Sequence, residues 1–212
     1  MFGVCVKLSR NVISSVAIAV LGLGALSLTG CGANQAGAAA LLGDQRISES
    51  ELNAQVQGLL AAQGLPAQDS SAEIITVTLD RLITTNLVNQ LAEREGVAID
   101  QGEVDAIRLQ YLAQAGGQAE LENLLLQQGV LPNQIDSVIT LNLQVTKLGQ
   151  ELAPDQEPDI QGQAVFVAVS ELSRELDTEV APRFGTWDAE NLTIGPVTNS
   201  VSEPLSVDLG QG

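Results

Sequence analysis

Cys31 is the residue whose surroundings best suit covalent chemistry. It follows Leu28-Thr29-Gly30 directly. A thiolate is a soft nucleophile that can carry a thioether-linked group, and small neighbours leave room for a peptidase to approach. Upstream, Met1–Arg10 is short and basic, and Val12–Leu28 is an apolar run interrupted only by small residues such as Ser14, Ser15, Gly22 and Gly24. Basic, apolar, then small at the cut is the three-part pattern of a secretory signal. The apolar run also approaches the length of an uncleaved membrane helix, which is the alternative. Cys5 falls inside the signal, so the processed chain would keep one Cys and could form no internal disulfide.

Few other residue groups could do chemistry. The chain contains no His. That removes His–Ser and His–Cys catalysis, His-ligated metals and an imidazole pH switch. Asp155, Glu157 and Asp159 alternate as in a calcium loop, but the turn Gly and the closing bidentate Glu are missing and Pro158 interrupts. Asn191-Leu192-Thr193 matches a glycosylation sequon. Glu93 and Glu95 lie on different helix faces and read as solubility charges. No nucleophile, base and orienting group come together. The sequence therefore predicts no catalytic residue, no metal and no cofactor. Trp187, the single Trp, is expected to pack with Phe184 and pin the C-terminal segment onto the body.

Charge narrows the partners further. Asp and Glu number 26 against 9 Lys and Arg, for a formal charge of −17. The first 30 residues hold Lys7 and Arg10 and no acid, so the remainder is more negative still. Such a surface argues against nucleic acid, whose phosphates need clustered cations, and against anionic lipid head groups. Aromatics make up 2% of a chain that is 45% hydrophobic, so the core must be aliphatic.

The elements that must position these residues read as helices. Ser48-Glu49-Ser50-Glu51 is a capping box, followed by Leu52, Val56, Leu59 and Leu60 on one face and stopped by Gly64 and Pro66. Ser70-Ser71-Ala72-Glu73 repeats the box before a long helix through Ile75, Leu79, Leu82, Leu87 and Leu91 to Gly96. Asp100-Gln101-Gly102-Glu103 caps a third helix, closed by Gly116-Gly117, and Glu120–Gln128 forms a short fourth. Pro132 begins a fifth that runs to about Leu152. Within it Ile139–Val145 also alternates like a strand, but its flanks are helical. Ala153–Gln163 is expected to be an acidic linker, with one more helix through Val165, Phe166, Val169, Leu172 and Leu176. Thr178–Arg183 reads as extended, and Ala38–Leu42 is its natural partner. Beyond Asp188, residues 189–212 show little periodicity and read as a disordered tail.

Two resemblances follow from these residues. Leu28-Thr29-Gly30-Cys31 is similar to a bacterial lipobox. That resemblance implies diacylglycerol on the Cys31 sulfur, cleavage between Gly30 and Cys31, acylation of the new N-terminus (palmitate among the acyl groups), and anchoring on the extracytoplasmic face of the cell membrane. Ala39–Leu52 (A-A-L-L-G-D-Q-R-I-S-E-S-E-L) resembles the start of SurA/PrsA-type chaperone domains, although Leu42 stands where Asn is usual. Glu103-Val104-Asp105 and Leu121–Lys147 are similar to later helices of that family, and Pro182-Arg183-Phe184-Gly185-Thr186-Trp187-Asp188 to the ending of lipoproteins with a SurA-like N-terminal domain.

The second resemblance implies a mainly α fold: a SurA-N-like helical bundle with a small two-stranded β pair joining the N- and C-terminal ends. The divisions expected are a signal over 1–30, a tether over 31–37, the bundle over 38–188 and the tail over 189–212. It implies extracytoplasmic binding of unfolded or secreted protein clients. Full-length relatives add a parvulin prolyl isomerase with active-site His residues, and no span between Leu152 and Val165 could hold one, so isomerase activity is not expected. Clients would rest in an aliphatic groove drawn from Leu59, Leu60, Leu82, Leu121, Leu124 and Leu125. The alternative is an adaptor lipoprotein that binds one dedicated folded partner.

Overall fold

The computed structural model describes residues 36–197. The signal, Cys31 and most of the tether lie outside the described residues, as does the tail from 198. Among the described residues the order is strands β1 (Ala38–Leu42) and β2 (Gln45–Ser48), then six α-helices, then three short strands. The helices are α1 (Glu49–Ala62), α2 (Ala72–Arg94), α3 (Gln101–Ala115), α4 (Gln118–Gln127), α5 (Ile135–Leu152) and α6 (Pro158–Glu175). The last strands are β3 (Glu179–Val180), β4 (Thr186–Asp188) and β5 (Thr193–Gly195).

Local chemistry sets the helix ends. Ser48 Oγ accepts the Glu51 amide at 3.1 Å, and Asp100 and Glu103 close a full reciprocal capping box. The second cap is Ser71, one residue later than expected: its Oγ accepts the Ile74 amide at 3.2 Å. Gly116 closes α3 in the left-handed region at φ 92, which a Cβ would penalise. Ile139–Val145 is helical, so the helical flanks prevail over the local alternation. Only Ala153–Glu157 is a connection, because Pro158 and Asp159 open α6 rather than continuing the linker. Proline lacks only an amide that the first helical turn leaves unpaired anyway.

The expected pairing of the chain ends is present and larger than foreseen. β1 is the middle of a three-stranded sheet, antiparallel to β2 through the Gly43-Asp44 turn and to β3, with Ala40 opposite Val180 and Leu41 opposite Glu179. The supposed tail also begins too early. Thr193–Gly195 pairs antiparallel with Thr186–Asp188 as a second sheet, and Leu192 is buried. Three residues are too few for a period of two to show in sequence. Gly185 permits this hairpin, since a Cβ there would overlap the Gly195 carbonyl oxygen.

The main core joins β1 and β2 to α1, α2, α5 and α6 through Leu42, Ile47, Leu60, Leu79, Ile83, Leu87, Leu148 and Val169, all at most 2% exposed. A smaller cluster of Val104, Leu121, Ile135 and Ile139 holds α3 and α4 against α5. Gly149 lets α5 approach α6 closely: a Cβ there would sit 2.9 Å from Gln161 Cβ. Ion pairs tie remote segments together, Arg94 to Glu175 and Lys147 to Glu103, each at the surface. The Arg94 and Lys147 partners hold the Glu175 and Glu103 carboxyls below their ordinary range.

Candidate functional site

The six leucines expected to line one groove do not come together. Leu60 is 1% exposed in the main core and Leu121 is 6% exposed in the smaller one, so neither lines a surface. Leu82 packs on the main core and Leu125 on the smaller cluster, both half-buried. Leu124 is exposed, and Leu59 borders a small groove described below. A helical period identifies an apolar face, but not which neighbour will cover it.

The structure instead builds a larger concavity from the two chain ends. A groove of about 730 Å³ is lined by Ala38 and Leu41 of β1, by Thr178–Arg183 around β3, and by Gly185, Thr186 and Trp187. That volume is typical of ligand sites. One wall is a strand edge. Ala181 donates its amide to the Ala39 carbonyl at 2.9 Å, so alternation along the antiparallel ladder turns the Val180 N–H and C=O away from β1. Among the described residues no further strand pairs with β3. Thr178 Oγ1, also in the lining, is buried without a hydrogen-bond partner.

Trp187 is fixed as one wall of this groove. It is half-buried, packs on the main core with Phe184, and donates its indole Nε1–H to Ser173 Oγ at 2.7 Å. Arg183 stacks on the Phe184 ring, 4.6 Å from its centroid, and pairs with Glu49. These contacts hold Pro182–Trp187 across the end of the sheet, as the sequence led us to expect. The neighbouring β5 lies against α2, where Asp80 is raised above its ordinary value by burial, an effect opposed by the Ile194 amide.

A second, smaller groove of about 200 Å³ runs along α2, lined by Leu59, Glu73, Ile74, Val77, Thr78, Arg81, Gln128 and Gly129. Sequence reasoning gave no weight to Arg81, because an isolated Arg within a helix carries no spacing signal. Among the described residues no His, Cys, Asp and Glu cluster could hold a metal ion. None of the described helices is long and apolar enough to cross a membrane.

Together these elements form a helical domain whose terminal strands frame a groove with polar edges and apolar walls. Residues 1–149 match the family described as SurA-like N-terminal domain. The chain belongs to that family. The match ends within α5, so α6 and the strands that complete the sheet-side groove lie beyond it. No curated protein and no solved structure matches the chain.

Proposed function

We propose that this chain is a membrane-anchored extracytoplasmic lipoprotein that acts as a chaperone-like binder of unfolded or translocating secreted proteins, without prolyl isomerase activity. The observation that carries this reading is the sheet-side groove, where the unpaired edge of Val180 lies beside Leu41, Pro182 and Trp187. An extended client segment would add to that edge through its backbone, which every sequence possesses, and rest side chains on the apolar walls. Burial there is worth about 25 cal/mol per Å² of apolar area. The β3 edge in this groove is only two residues long, so affinity is low and release fast. Membership of the SurA-like family and the absence of His support a binding role over catalysis. Lipid on Cys31 would hold the domain where secreted chains emerge, and two or more acyl chains suffice for stable anchoring.

A photo-crosslinking side chain at Glu179, on the exposed rim, tests this in intact cells. Many different secreted polypeptides should be captured, and no product at all would contradict the reading. Cys31→Ala should release the chain from membranes; retention after processing would sink the anchor. One feature favours the adaptor alternative: Ile160, Phe166 and Val167 expose apolar surface along α6, a face suited to a single folded partner. A lone stoichiometric crosslinked product would select that alternative.

A further inference from the structure

The groove along α2 has a composition that a general apolar surface would not need. Its floor is aliphatic, from Leu59, Ile74 and Val77, and Val77 is 62% exposed. Opposite charges stand at its two ends. Glu73 and Arg81 are eight residues apart on α2, about 12 Å along the axis at ~1.5 Å per residue.

Arg81 lacks the partner its burial calls for. The guanidinium is half-buried, and burial makes its charged form costlier, pulling its pKa down. Its hydrogen bond is a long one, from Nη1 to the Gln128 carbonyl oxygen at 3.5 Å. Arg94, Arg108, Lys147 and Arg183 each have a carboxylate within salt-bridge reach, and the exposed Arg46 and Arg174, which have none, make 2.8 Å hydrogen bonds instead; Arg81 is half-buried and has neither among the described residues. In a chain with 26 acidic residues, carboxylates are not scarce. Gly129 keeps the space beside it clear, since a Cβ there would lie 3.2 Å from Arg81 Nη1 on a backbone at φ +75.

We propose that this groove receives the free C-terminus of another polypeptide, ending in an aliphatic residue and carrying Lys or Arg three to four residues upstream. The guanidinium fork matches a carboxylate. An α-carboxylate sits on the same carbon as the last side chain, so one residue supplies both the anion for Arg81 and the aliphatic group for Leu59, Ile74 and Val77. An internal Asp or Glu supplies the anion in place of the aliphatic group. The chain then runs back along α2 at ~3.3 Å per residue, which brings a cation three to four positions upstream to Glu73. The site deepens the polypeptide-binding reading and rests on it, but it is separate from the sheet-side groove.

The test uses the full chain and dye-labelled hexapeptides ending Lys-Ala-Gly-Leu, with a free carboxylate or a C-terminal amide, read by fluorescence anisotropy. The acid should bind about tenfold more tightly than the amide, the scale of one charge-assisted contact at a partly exposed site. Arg81→Gln should abolish that difference, and Arg81→Lys should restore part of it. Glu73→Gln should remove the preference for Lys over Ala upstream while keeping the acid–amide difference. Equal binding of acid and amide, or full discrimination by Arg81→Gln, overturns the inference. Suppression of client aggregation separates the two levels. A chain that suppresses aggregation without telling acid from amide overturns the C-terminal site alone, and a chain that does neither overturns both.

Discussion

Replacing Trp187 with Phe should loosen the wall of the sheet-side groove by a measurable amount. The ring and most of its apolar contact survive, but the Nε1–H that Ser173 Oγ accepts at 2.7 Å is lost. Ser173 is 0% exposed, so water cannot replace the donor. Stranding a buried polar group costs about 1–3 kcal/mol, more than the ~1 kcal/mol that an average hydrogen bond contributes net. For a chain of this size 1 kcal/mol moves Tm by roughly 2–4 °C, so Trp187→Phe should lower Tm by several degrees. Ser173→Ala strands the indole instead and should cost a similar amount. The double variant removes both partners and should cost less than the two singles together, with a coupling of about 1 kcal/mol. Thermal and urea melts followed by far-UV circular dichroism suit this, because the helical signal does not depend on the lost Trp. A Tm for Trp187→Phe within about 1 °C of the wild type, or single effects that simply add, would refute the reasoning.

Three further outcomes follow from the packing and the charges. Leu148→Ala empties a fully buried site between α5 and the rest of the main core and should cost about 2–5 kcal/mol by urea melts. Asp80→Asn removes a charge that burial disfavours and keeps an oxygen for the Ile194 amide, so it should raise Tm at neutral pH. The Asp80 carboxyl is raised in the folded state, so the wild type regains that stability as pH falls through the folded value, and the gap between the two proteins should close on acidification. Glu103 behaves oppositely. Lys147 and the Asp100 amide hold its carboxyl low, so its contribution is present above the ordinary carboxylate value, 4.5, and is lost as pH falls through the depressed one. Lys147→Met should therefore flatten the acid side of the Tm–pH curve relative to the wild type.

Much of the architecture could be read from the residues because it is encoded locally. Caps at Ser48 and Asp100 and glycines at 64, 96, 116 and 129 mark helix ends within a residue or two, since each satisfies or relieves groups in its own turn. The pairing of β1 with Thr178–Arg183 was also legible, because Val180 and Pro182 disfavour helix and Ala38–Leu42 is a short apolar stretch at the other end. What stayed hidden depends on distant partners. β5 is three residues long and exists because Gly185 admits the Gly195 backbone. Pro158 could equally end a linker or begin a helix, and packing of α6 on α5 decides. The groove was misplaced for the same reason. Leu60 and Leu121 share the periodicity of surface-capable leucines, but both are buried, Leu60 in the main core and Leu121 in the smaller cluster. The grooves that exist are lined by Val180, Trp187 and Arg81, whose roles arise only when remote segments meet.

The most direct measurement is suppression of aggregation. The full chain is added to a chemically unfolded protein as denaturant is diluted, and light scattering is followed. The account predicts scattering that falls with increasing chain concentration, while isomerisation of a proline-containing tetrapeptide stays at its spontaneous rate. Undiminished scattering at several-fold molar excess would contradict it.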